Sequence, residues 1–105
     1  MSDIMDLGHG HTLRFVSWKP DRSIPANAEA YKDIPDVERA GTNIEHTAAN
    51  GTICKSFLMF DHAGPQWPGE KWHVESWEPL TISPSLLCRA CGDHGFIRGG
   101  KWVPA

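Results

Sequence analysis

Asn50-Gly51-Thr52-Ile53-Cys54-Lys55-Ser56-Phe57-Leu58-Met59-Phe60 is the stretch on which the fold turns. Asn-Gly marks a tight reversal, because both residues tolerate the positive φ of a two-residue hairpin turn. The eight residues after Thr52 are the most apolar run of the chain and are rich in β-branched and aromatic side chains. That content, directly after a turn, favours a buried strand over a helix. Thr42 to Glu45, before the turn, reads as a short strand.

Working outward towards the N-terminus, residues 35–41 read as one helical turn, with Pro35 at its first position and Gly41 at its stop. Pro20, Pro25 and Pro35 leave room for one more short helix over residues 26–32 and exclude a long one. His11 to Trp18 alternates polar and apolar at Leu13 and Phe15, a strand pattern that Pro20 stops. Residues 1–10 are small and polar and read as an irregular N-terminal arm.

Towards the C-terminus, Gly64, Pro65, Pro68 and Gly69 make residues 61–70 a loop, with Trp67 as a lid or an exposed contact. Residues 71–77 alternate without a purely apolar face. Leu80 to Ser83 reads as a strand ended by Pro84. Gly95 to Val103 reads as a terminal hairpin turning at Gly99-Gly100. The expected fold is mainly β, a small α+β domain: one compact β-sheet domain over residues 1–105, with one or two short helical turns.

Leu, Ile, Val and Phe together number 21 of 105 residues, a thin aliphatic complement that five Trp supplement. A short chain with so little core often needs a staple such as a metal ion. Ten basic residues against 13 acidic ones give a net charge of −3, against non-specific binding of nucleic acid. No apolar run has the length of a membrane span. No basic region followed by an apolar stretch opens the chain, so no secretory signal is expected. Three cysteines cannot form a complete disulfide framework, which points to a reducing compartment.

Cys88-x-x-Cys91-x-x-His94 is the strongest chemical signal. Two cysteines at this spacing can place both sulfurs on one ion, and Gly92 lets the chain turn closely around it. Zinc favours mixed thiolate and imidazole ligands in four-coordinate sites. Packed thiols and redox chemistry are the competing readings, the latter opposed by Gly92 and the hairpin. Cys54 would complete a closed set of three cysteines and one histidine. His73 is the runner-up for the fourth position, followed by His62 and His46. His9 and His11 could bind metal with Asp6 or Glu45, or simply belong to a polar terminus. Asp93 could orient His94 or cap a turn. No phosphate-binding loop, Gly-x-Ser-x-Gly elbow or His-Glu-x-x-His is present, and His73-Val74-Glu75 lacks the Pro-Cys-x-x-Cys that a zinc deaminase pairs with it.

Residues 79–88, then Cys91-Gly92-Asp93-His94-Gly95-Phe96-Ile97-Arg98 and Gly100-Lys101-Trp102, resemble a family of short proteins encoded by actinobacterial phages and some bacterial operons. His9-Gly10-His11, residues 18–22 and residues 34–39 carry a weaker likeness. The resemblance implies a phage setting, in the host cytoplasm or the virion, and a zinc site at Cys88, Cys91 and His94; it implies no activity. On this reading the expected function is a zinc-binding accessory protein with a protein partner and no catalysis. A virion head or tail component is the first alternative, in which contacts between copies would bury the tryptophans. A zinc-dependent hydrolase with Glu75 or Asp93 as base is the second.

Overall fold

The computed structural model describes residues 4–63 and 69–105. Its strands are β1 (Ile4–Gly8), β2 (His11–Trp18), β3 (Val37–Thr47), β4 (Ile53–Met59), β5 (His73–Trp77), β6 (Leu80–Leu87), β7 (His94–Arg98) and β8 (Lys101–Pro104). The first four form one antiparallel sheet in the order β1-β2-β3-β4, and the last four form another in the order β5-β6-β7-β8. One short helix, α1 (Pro25–Ala30), lies in the connection after β2. The mainly β expectation therefore holds, with a single α-helix and one 3₁₀ turn over Asp61–Ala63 among the described residues. Among the described residues no helix is long and apolar enough to cross a membrane.

The chain reverses at Asn50-Gly51 as expected, but as a three-residue loop over residues 49–51 with positive φ at Gly51 and not at Asn50. Gly51 has φ 86°, and Ala48 N–H donates to Thr52 O at 2.8 Å. This turn fixes the register of β3 against β4: Thr42 opposite Leu58, Ile44 opposite Ser56, and His46 opposite Cys54. Gly99 and Gly100, at φ 58° and 76°, close the expected terminal hairpin.

Three segments differ from the sequence reading. Residues 4–8 are not an irregular arm: they pair with β2 through a turn at His9-Gly10, and Leu7 is fully buried. Residues 37–41 belong to an eleven-residue strand, not a helical turn. Gly41 explains the reversal, because a Cβ there would stand 2.1 Å from Leu58 O. Its missing side chain lets β3 lie close against β4, a role that a helix stop signal does not reveal. Finally, β6 continues through Pro84 to Leu87; Pro84 falls at the register shift between Ile82 and Leu86, where the ladder does not need its N–H. Trp67 lies outside the described residues.

Period-two alternation sends one face of each sheet inward. Leu7, Leu13, Ile44, Leu58 and Phe60 from the first sheet meet Leu80, Ile82, Leu86, Ile97 and Trp102 from the second in one core. The sheets are also joined by backbone at one edge, where Trp72 N–H donates to Met59 O at 2.9 Å and Asp61 N–H to Trp72 O at 2.8 Å.

Candidate metal centre

The inward face of the first sheet ends in a polar row. His11 pairs with His46 across β2 and β3, and His46 with Cys54 across β3 and β4. All three are buried. The turn from β6 to β7 brings Cys88, Cys91 and Asp93 over this row. Cys88 N–H donates to Asp93 O and Gly92 N–H to Cys88 O, both at 2.7 Å, with Gly92 at φ 79°. The turn is therefore built from its own backbone, leaving its thiol and carboxylate side chains for other partners.

Two groups of convergent donors result. His46, Cys54, Cys88 and Cys91 have ligand atoms within 4.8 Å of one another, and so do His11, His46 and Asp93. Either group could hold a metal ion. In a tetrahedral zinc site with bonds of about 2.0–2.3 Å, neighbouring ligand atoms stand about 3.5–3.8 Å apart. The first group reaches that spacing with shifts of about 1 Å or less. His46 Nε2 already lies 3.1 Å from Cys91 Sγ. One imidazole and three sulfurs are the donor chemistry of a closed zinc site.

The second group is bound differently. His11 Nδ1 lies 2.8 Å from His9 O, and its Nε2 lies 2.5 Å from Asp93 Oδ2. A carbonyl oxygen only accepts, so Nδ1 donates to His9 O, and Nε2 and Asp93 Oδ2 share one hydrogen bond. The ring stacks on Trp102 with centroids 4.0 Å apart and on His46 at 4.9 Å. The 2.5 Å contact is much shorter than the spacing of two ligands on one ion, so His11 and Asp93 act as a hydrogen-bonded pair beside the sulfur group.

The three thiols are free and differ in setting. Burial, followed by the neighbouring Cys88 and Cys91, pushes the Cys54 thiol up to about 11. Burial also works to raise Cys88, but the backbone N–H groups of Cys91 and Ala90 and the other two thiols outweigh it and bring its value below the ordinary one. The site thus contains one sulfur predisposed to thiolate and one that a cation must deprotonate.

Of the residues expected to form a metal site, Cys54, Cys88 and Cys91 are brought together. His94 is not with them: it is exposed on β7, with its Nε2 2.9 Å from Ser85 Oγ. The physical reason is the strand itself. Cys91 belongs to the turn, whereas His94 already lies in the ladder opposite Leu87, where alternation points it to the outer face. His73, the runner-up, is exposed and bonded to Asp61 Oδ2 at 2.9 Å, and His62 stacks near Phe60 and Trp77. The histidine beside the sulfurs is His46. Asp93 engages His11 rather than orienting His94, and His9 forms a turn at φ 52°. The turn closes as a three-residue loop over residues 49–51, with Ala48 bonded to Thr52, and that length sets 46 opposite 54; a two-residue reversal at 50 and 51 would have set it opposite 55. No protein-family model, curated protein or solved structure matches this chain.

Proposed function

We propose that this chain is a zinc-binding interaction domain, in which the ion clamps one sheet to the other and catalysis plays no part. The observation that carries this reading is the convergence of His46 and Cys54 from the first sheet with Cys88 and Cys91 from the second, within 4.8 Å. Three sulfurs and one imidazole fill a tetrahedral shell and leave no position for an activated water, which a hydrolase needs. Asp93, one of the two candidate bases, is engaged by His11. The exposed apolar residues beside the site, Ile53, Phe57 and Leu87, suit a binding surface. An accessory role in a phage is the biological setting that the family resemblance implies for such a domain.

The test is metal content and its coupling to folding. Protein purified without added metal should contain about one zinc per chain, bound through sulfur and nitrogen in X-ray absorption spectra. Chelation should lower its melting temperature sharply, because binding free energy at a structural site is folding free energy. Folded protein with negligible metal, or unchanged melting after verified zinc removal, would overturn the reading.

A further inference from the structure

A cleft of about 710 Å³ opens beside the metal centre, between β4 and the second half of β6. The direction of the peptide groups along its walls follows from the hydrogen bonds. Phe60 N–H donates to Ala40 O and Ala48 N–H to Thr52 O, so residues 52, 54, 56, 58 and 60 turn their peptide groups towards β3. Ile53, Lys55 and Phe57, in the other phase, turn theirs away from β3. Met59 confirms this phase, since its carbonyl accepts from Trp72 on the far side.

The opposite wall has the same character. Ala105 N–H donates to His94 O, so His94 bonds towards β8, and Leu86 opposite Gly95 carries the β6–β7 bonds. Leu87 therefore turns its peptide groups away from β7. Ser85 does likewise, and its carbonyl accepts from the Trp72 indole at 3.3 Å. Pairing of β6 with β5 stops at Ser83. Among the described residues no strand pairs with the outward edge of β4 from Ile53 to Phe57, or with that of β6 at Leu87.

We propose that this cleft binds an extended peptide segment of a partner protein, which adds as a strand to the outward edge of β4. This deepens the interaction-domain reading by naming the kind of partner. Open N–H and C=O groups in a row are satisfied by another extended backbone and by little else. Phe57 and Leu87, 52% and 58% exposed, flank the path and fit apolar side chains at alternate peptide positions. Among the charged lining residues Asp93 is engaged by His11, which leaves Lys71 and Arg89 against Glu70. Lys55 on the edge already faces Glu45 at 3.8 Å, so it is Lys71 and Arg89 that make the path favour a peptide carrying carboxylates. Lys55 disfavours a second copy of this chain, because antiparallel pairing of two β4 edges would bring two lysines together.

The experiment pans a random dodecapeptide library against the purified full chain, with zinc content measured on the same sample. The best-enriched peptide is then synthesised unmodified and in two forms, N-methylated at odd or at even positions. Strand addition predicts enrichment of alternating apolar residues with at least one carboxylate. It predicts that methylation of one parity weakens binding by about tenfold or more while the other parity changes it little, since only one set of amides faces β4. The Phe57 amide should exchange more slowly in the complex, and Leu87→Lys should weaken binding. No enriched peptide, equal loss from both parities, an unchanged Phe57 amide, or dimerisation through Phe57 and Leu87 would overturn the proposal. Zinc-loaded protein that binds no peptide defeats strand addition alone; metal-free folded protein defeats the zinc reading, and its peptide binding is judged by the same criteria.

Discussion

His46 and Cys54 are direct cross-strand partners on the inner face of the β3–β4 hairpin, and Cys91 Sγ lies 3.1 Å from His46 Nε2. Half of the candidate metal centre is thus set by one turn, and the other half by a turn of the opposite sheet.

His46→Ala should weaken zinc binding by more than about a hundredfold, beyond the loss typical of outer-shell changes. His94→Ala should leave affinity and melting temperature close to those of the unmodified chain, since its exposed ring meets Ser85 Oγ and the neighbouring Phe96 and stands apart from the sulfurs. Competition titration with a chromophoric chelator measures both. The opposite ranking would return His94 to the site.

The thiols give a pH prediction for metal-free protein. Cys88, with its value lowered, should alkylate first with iodoacetamide near neutrality, and buried Cys54 last. The folded value of Cys54, about 11, lies above the ordinary 9.0, so the fold favours its protonated form. Its contribution to stability is complete below about pH 9 and is lost as pH rises towards about 11. Cys88 has the opposite sign: its contribution is present above the ordinary thiol value and is lost as pH falls through the lowered one. Urea titrations between pH 9 and 11 should show metal-free protein losing stability more steeply than Cys54→Ala.

Gly95 lies beneath Trp102, and a Cβ there would stand 2.6 Å from the indole ring. Gly95→Ala should cost about 1–3 kcal/mol through overpacking. Because Trp102 carries the stacked His11, the substitution should also shift the His11 ring resonances in NMR spectra, whereas alanine at exposed Gly51 should leave them in place.

Thr42 is fully buried, and its Oγ1 has no hydrogen-bond partner among the described residues. Valine has nearly the same shape without the hydroxyl. Thr42→Val should therefore stabilise the fold by about 1 kcal/mol, raising the melting temperature by a few degrees.

Much of this architecture is legible in the chain, and the misreadings have physical causes. The apolar run from Ile53 and the Asn-Gly and Gly-Gly turns identify their strands, because their signals are local. Residues 4–8 and 37–41 are misread because pairing with neighbours overrides weak local preference: Asp6 and Gly8 look irregular until β2 provides a ladder, and Gly41 looks like a helix stop until Leu58 O comes close. At the site, linear spacing groups His94 with the two cysteines, but Cys91 sits in the turn while His94 already lies in the β7 ladder, where alternation turns it to the outer face. His46 is distant in sequence from Cys91 and near it in space, and only the register shows this.

The two sheets are built from successive halves of the chain, each a run of neighbouring antiparallel strands. During synthesis the first half therefore leaves the ribosome with all its strand partners available, but with only His46 and Cys54 of the donor set. The remaining sulfurs emerge more than thirty residues later. Until Cys88 and Cys91 arrive, the nascent chain presents an apolar sheet face and a two-ligand half-site, too few donors to retain zinc firmly. On the proposed zinc reading, metal capture is a late event, and the availability of the ion as β7 and β8 emerge sets whether the second sheet docks promptly or leaves that face open to aggregation.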